Sequence, residues 1–156
     1  MIVYRICKEK YCRDFSGKGA ELVGGRWNSI GLPAIYTSCS IALCTVEVTV
    51  HLPLGIIPQG FVLLSMSVPD QNAEQGSSFT ELTDIPGNWR SYPFPVSTQI
   101  AGDKFLRAGK FLGLKVPSAV VNSEFNYIIN PQHPEARQLK IMDIQPYEFD
   151  QRLFTR

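Results

Sequence analysis

The run Gly60-Phe-Val-Leu-Leu-Ser-Met-Ser-Val68 is the segment that most constrains the fold. It is apolar nearly throughout, and its length suits a strand better than a helix. A strand without polar alternation is buried on both faces, so the rest of the chain must cover both sides. Five further segments read as short strands: Ile2 to Cys7, Ala34 to Thr37, Leu114 to Val121, Phe125 to Ile129 and Leu139 to Ile144. Ser97 caps a helix reaching about Gly109, with Ile100, Ala101, Phe105 and Ala108 towards the core. The expected class is α+β, with strands outnumbering helices.

Two stretches are irregular. Asp14 to Asn28 carries Gly17, Gly19, Gly24 and Gly25 and reads as a loop that takes unusual backbone angles or approaches something closely. Asp70 to Pro95 is polar, with Gly, Pro and Ser clusters, and a connection of that length is usually functional or mobile. The segment Ser38 to Leu52 is ambiguous. Thr45-Val-Glu-Val-Thr-Val50 alternates and is β-branched, as a strand would be. Yet Ser40 is a good N-cap, and Leu43, Val46, Glu47 and Val50 fall at helical spacing. Local propensity leans towards the strand.

At 156 residues the chain is expected to form one domain, 1–156, with a core that needs no staples. Hydrophobic residues make up 44% and charged residues 19%, within the soluble globular range. No run approaches the roughly 18 apolar residues of a membrane span. The N-terminus meets a charge at Arg5 and does not read as a secretory signal, so a cytoplasmic location is expected. A net charge of +1 gives no nucleic-acid footprint. The charge is nevertheless uneven. Trp27 to Trp89 holds five acids and no Lys or Arg, so an anionic ligand must be gripped from the two ends of the chain.

Cys7 and Cys12, like Cys39 and Cys44, are separated by four residues, the loose end of zinc-ligand spacing. His51 and His133 add no cluster to them, and reduced thiols with no metal site are expected. Hydrolase readings fail: Ser118, in Val116-Pro-Ser-Ala-Val120, lacks the glycines of a nucleophile elbow. His133, before a proline, reads as a turn former. The glycines before Arg26 make neither a dinucleotide fingerprint nor a phosphate loop. Two features remain. In Gly24-Gly-Arg-Trp-Asn28 a bent backbone presents an arginine suited to bidentate grip on phosphate, or simply a surface arginine after a turn. Glu47 is a lone carboxylate in an uncharged stretch, and is exposed, paired or used.

These residues also carry a resemblance. Val3-Tyr-Arg-Ile6, Phe15-Ser-Gly-Lys-Gly-Ala20, Gly24-Gly-Arg-Trp-Asn28, Ala34-Ile-Tyr-Thr-Ser38 and Leu43-Cys-Thr-Val-Glu47 resemble, in this order, the RES-domain family of bacterial toxins. So do Val50-His-Leu52, Gly102-Asp103, Val116-Pro-Ser-Ala-Val120, Asn126-Tyr-Ile-Ile-Asn-Pro131, His133-Pro134 and Phe149-Asp-Gln-Arg-Leu153, the last with Gln151 where a proline is common.

The resemblance implies an ADP-ribosyltransferase-like fold, two small packed sheets with helices around a cleft. It implies a helix over Ser38 to Leu52, against the local pattern. It implies that NAD+ is a substrate cleaved at its nicotinamide–ribose bond, with no cofactor and no metal. Glu47 would stabilise the developing positive charge on the ribose. Arg26 would grip the diphosphate or adjacent ribose, with Arg5 a second cation. Tyr36 would stack on nicotinamide, Ser118 would bond near the carboxamide or ribose, and Asn126 would join the NAD+ contacts. Arg26, Glu47 and Ser118 are the expected catalytic set. The acceptor stays open between water, phosphate and a protein, and a non-catalytic interaction module is a further alternative. The implied partner is an Xre-type helix-turn-helix antitoxin covering the cleft. Leu52 to Ile57, Tyr92 to Val96 and the Asp70–Pro95 connection are candidate surfaces for it. Homodimerisation is left open, and neither direct nucleic-acid contact nor membrane association is expected.

Overall fold

A computed structural model describes residues 1–71 and 76–155. Seven strands form a mixed sheet: β1 (Ile2–Lys8), β2 (Ile35–Ser38), β3 (Phe61–Ser67), β4 (Phe79–Glu81), β5 (Gly113–Pro117), β6 (Phe125–Ile129) and β7 (Lys140–Tyr147). Their order is β4-β5-β6-β2-β1-β3-β7, antiparallel throughout except for the parallel β4–β5 pair. Among the described residues three α-helices complete the fold: α1 (Lys18–Val23), α2 (Ile41–Thr49) and α3 (Val96–Ala108).

The two sheets implied by the resemblance are halves of this one sheet. β1 pairs with β3 along its whole length, but with β2 only at Tyr4 and Ser38. Beyond that pair the two strands splay. Arg5, Ile6 and Cys7 on one side and Tyr36 and Thr37 on the other line a hollow of about 380 Å³ in the wedge between them. The cleft thus follows from the sheet dividing at a single joint.

β3 meets the expectation of burial on both faces. Val62, Leu64 and Met66 point into one core cluster with Val3, Ile35 and Ile129. Leu63 points the other way, to Ile6, Cys44, Phe149 and Phe154. β7 runs on through Pro146 to Tyr147, past the expected end at Ile144. It is an edge strand, where a missing N–H is tolerated.

The local ambiguity over Ser38 to Leu52 resolves as helix. Ser40 is the N-cap of α2, and its hydroxyl accepts from the Leu43 N–H at 3.1 Å. The β-branched alternation is overridden by packing, with Leu43 and Cys44 buried beneath the helix.

Several expectations are corrected. The Asp14–Asn28 loop contains the short helix α1. The connection after Asp70 contains β4, and residues 72–75 within it, Glu74 included, lie outside the described residues. The strand expected over Leu114 to Val121 stops at Pro117, because the Ser118 hydroxyl accepts the N–H groups of Val120 and Val121 and turns the chain.

α3 starts at Val96, with Pro95 as N-cap in place of Ser97, and ends at Gly109 as expected. Its buried face is Thr98, Gly102 and Leu106, whereas Ile100 is 63% exposed and Ala108 is also exposed. The reason is Gly102. A Cβ there would stand 1.8 Å from the Trp27 carbonyl oxygen, so the helix axis lies against the backbone of the Gly24–Ser29 turn. Gln99 Nε2 donates to the Gly25 and Asn28 carbonyls at 3.2 Å each, and the Ser29 N–H donates to Asp103 Oδ1 at 2.8 Å. α3 is thereby the clamp on the turn that carries Arg26.

Among the described residues no helix is long and apolar enough to cross a membrane. All four cysteines are free.

Candidate functional site

Glu47 sits on the second turn of α2, half-buried, facing the two ends of strands from the other sheet half. Its Oε1 accepts from Ser118 Oγ at 2.7 Å and from Asn126 Nδ2 at 2.5 Å. Ser118 follows β5 and is buried, with its N–H bonded to the Glu124 carbonyl. Asn126 lies in β6 beside Ser38 of β2, and Ser38 Oγ donates to Asn126 Oδ1 at 2.7 Å. The lone carboxylate is therefore paired with neutral donors rather than with a cation. Two hydrogen bonds fix one oxygen, and Oε2 carries none among the described residues.

Two hollows meet at this carboxylate. The smaller one, in the β1–β2 wedge, is lined by Arg5, Tyr36, Ser38, Glu47 and Asn126. The larger, about 820 Å³, is lined by Arg26, Tyr36, Glu47, Arg90, Phe94 and Asn126, among others. The structure thus brings Glu47, Tyr36 and Asn126 to both hollows, Arg26 to the larger and Arg5 to the smaller, so the two expected cations do not converge. Arg5 Nη1 donates to the Asp14 carbonyl at 3.1 Å.

Arg26 is held from the far side. Its Nη1 donates to the Trp89 carbonyl at 2.5 Å and the Ser91 carbonyl at 2.9 Å, with Phe94 beneath the guanidinium at 5.9 Å. Burial pulls its pKa below the ordinary arginine value, and the charge of Glu47 opposes that pull. Arg90 binds the adjoining segment to the turn after β5. Its Nε donates to the Ala119 carbonyl at 2.9 Å and its Nη1 to Asn122 Oδ1.

Tyr36 has a committed hydroxyl and a half-buried ring that borders both hollows. The hydroxyl accepts from the Trp27 N–H at 3.0 Å and donates to Asn28 Oδ1 at 2.7 Å. Burial pushes the phenol well above its ordinary range, with the Trp27 N–H acting the other way. Gly25 has to be glycine, since a Cβ there would lie 2.5 Å from this hydroxyl. Asn28, fully buried, ties the turn to the Ala20 and Leu32 carbonyls at 2.9 Å each. The phenol and the amide are what give the glycine-rich turn a fixed shape.

Sequence reasoning missed two residues here. His51 borders both hollows, four residues after Glu47, and that helical spacing was its available signal. Arg90 borders the larger hollow from the polar connection, where nothing local distinguishes it. His133 is a turn residue as expected, its Nδ1 accepting the Glu135 N–H. Among the described residues no group of three His, Cys, Asp or Glu side chains could hold a metal ion.

The model of the RES domain matches residues 2–150. The chain belongs to the RES-domain family. Among its relatives is a protein of Yersinia enterocolitica named Toxin Res, 36% identical over 98% of this chain and 99% of the relative. Another, of a Sphingobium species, is named Prs ADP-ribosylating toxin, 32% identical over 92% of this chain and 88% of the relative. A solved structure of the MbcT–MbcA toxin–antitoxin complex of M. tuberculosis has the same fold. That match has a TM-score of 0.70 at 23% identity, over 98% of this RES domain and 86% of the solved chain.

Proposed function

We propose that this RES domain is the toxin of a toxin–antitoxin pair and an enzyme that cleaves the nicotinamide–ribose bond of NAD+. The observation that carries the reading is the Glu47 carboxylate. It is pinned at one oxygen by Ser118 and Asn126 and stands where two hollows meet, with a guanidinium in the larger. The names of the relatives support a toxin, and one of them supports ADP-ribosyl chemistry.

The substrate matches this charge arrangement. NAD+ is cationic at its nicotinamide ring and anionic at its diphosphate, and Glu47 and Arg26 offer the opposite signs at separate points. In the reaction the C1′–N bond breaks and its electron pair leaves with nicotinamide, which becomes neutral. The ribose is left as an oxocarbenium ion, whose charge faces the carboxylate. Water adds at C1′ and releases its proton, or phosphate adds through an oxygen; either completes the transfer. Tyr36 offers a ring face to nicotinamide, with its hydroxyl already anchored. NAD+ is a substrate here, consumed and not recycled, and the reading assigns no cofactor.

Transfer to a protein side chain is the second reading, favoured by the relative named as an ADP-ribosylating toxin. An antitoxin partner is supported by the toxin–antitoxin complex of the structural neighbour, and the reading places it over the cleft. The exposed apolar side chains Leu54, Ile56, Tyr92 and Val96 suit such a contact. The expected partner is a helix-turn-helix antitoxin that would itself make the nucleic-acid contacts.

The test is incubation of the purified chain with NAD+, following free nicotinamide, beside Glu47→Gln. The amide keeps an acceptor for Ser118 and Asn126 and removes the charge. Turnover is expected to fall at least 100-fold, in line with the loss of one group aimed at transition-state charge. A folded variant that keeps most of its turnover removes Glu47 from the mechanism. With adenylate-labelled NAD+, label on protein bands selects the second reading, and label only in small molecules the first.

A further inference from the structure

We infer that Ser38 is a positioning residue for Glu47, acting by holding the Asn126 side-chain amide in place with its NH2 towards the carboxylate; the inference rests on the role proposed for Glu47. Ser38 and Asn126 are direct cross-strand partners in β2 and β6, so their side chains stand together on one face. The Asn126 amide has two orientations of nearly equal shape that exchange its oxygen and its NH2. With the Ser38 hydroxyl donating to Oδ1 at 2.7 Å, the NH2 is turned to Glu47 Oε1 at 2.5 Å. In the reversed orientation two acceptors would confront each other with no proton between them.

The Ser38 hydroxyl is itself constrained. Ser38 is 4% exposed, and its backbone forms the single joint with Tyr4 between the sheet halves. The buried Cys44, one helical turn before Glu47 on α2, lines the same wedge as Ser38.

Ser118 shows the same logic from the other side. Its Oγ accepts the Val120 and Val121 N–H groups at 3.1 and 2.9 Å, which leaves its own proton directed at Glu47. Two oriented donors on one carboxylate oxygen fix the plane of the carboxylate and leave Oε2 for the ribose. The Ser38 hydroxyl touches no reacting atom. Its effect passes entirely through Asn126.

The experiment compares Ser38→Thr with Ser38→Val in the full chain. The two side chains have the same shape and disturb packing equally; only threonine keeps the hydroxyl. With NAD+ as the probe, Ser38→Thr is expected within threefold of wild-type kcat. Ser38→Val is expected to lose about tenfold or more in kcat with KM within twofold, as for a group that acts in the transition state only. Ser38→Ala, which adds no bulk, should follow valine and stands in if the branched variants do not fold.

A second readout does not depend on turnover. In asparagine-labelled protein one Asn126 amide proton should be shifted downfield and protected from exchange in wild type and Ser38→Thr, and lose both properties in Ser38→Val and Ser38→Ala. If wild-type protein released no nicotinamide, the proposed reaction would fall and the amide protons would still decide the orientation. Equal kcat in the threonine, valine and alanine variants, or an amide resonance unmoved in all of them, overturns the inference.

Discussion

Replacing Gly102 with alanine is expected to destabilise the protein, although alanine is the better helix former. The added Cβ would meet the Trp27 carbonyl oxygen at 1.8 Å, its carbonyl carbon at 2.6 Å and its Cα at 2.9 Å. These are backbone atoms of a turn held by Asn28 and Tyr36, not the end of a side chain that can swing away. An ordinary carbon–oxygen contact is about 3.3 Å, so α3 and the turn must part by about 1.5 Å. Separation on that scale breaks the Gln99 bonds to Gly25 and Asn28 and the Ser29 bond to Asp103, each worth about 1 kcal/mol. Holding the contact instead stores overpacking strain of about 1–3 kcal/mol. Parting costs about 3 kcal/mol and holding the contact about 1–3 kcal/mol, and the helix-propensity gain returns about 1 kcal/mol. The net loss of up to about 2 kcal/mol should lower Tm by up to about 8 °C for a chain of this size. Gly19→Ala is the control. It lies inside α1 with nothing within 4 Å of its Cβ, and should be neutral or stabilising. Urea titration of both variants gives the comparison. A Gly102→Ala protein as stable as wild type, or moving in the same direction as Gly19→Ala, would refute the close approach.

Tyr36→Phe removes the acceptor of the Trp27 N–H and the donor to Asn28 Oδ1, and should cost about 1–3 kcal/mol in urea titration; no loss would mean that water replaces the phenol. The Cys44 thiol has its pKa raised by burial to about 11 from an ordinary 9.0, so the folded state holds its proton more tightly than the unfolded state. That contribution is whole below pH 9 and is lost as pH rises from about 9 to 11, up to about 2–3 kcal/mol in all. Denaturation at pH 8 and pH 10.5 should therefore show a fall in stability that shrinks in Cys44→Ala, and identical slopes in the two proteins would discount the thiol.

What the sequence made legible depended on whether local pattern and packing agreed. β3 was readable because no polar residue interrupts its run, and both of its faces are in fact covered. The Thr45–Val50 alternation misled, since only the cap at Ser40 and the docking of α2 on β1 and β2 distinguish helix from strand. The face of α3 was misplaced because its centre is Gly102. A scale of side-chain hydrophobicity cannot register a backbone-to-backbone contact. Glu47 and Arg26 stood out by isolation and by glycine context, but Ser118, Asn126 and Tyr36 came only through the family likeness. Ser38 had no local signal: its partner lies 88 positions away in β6.

The carboxylate network and the sheet joint are one feature. Glu47 belongs to α2, which packs on β1 and β2, whereas the donors on its Oε1 come from the end of β5 and from β6. The half containing β1, β3 and β7 is paired through the sheet with the other half only at Tyr4 and Ser38, and Ser38 is also the residue that holds Asn126. A cleft needs strands that separate, and an oriented carboxylate needs groups that do not move apart. Both demands are met by letting β1 and β2 splay on one side of a single joint and building the hydrogen bonds of Glu47 around that joint.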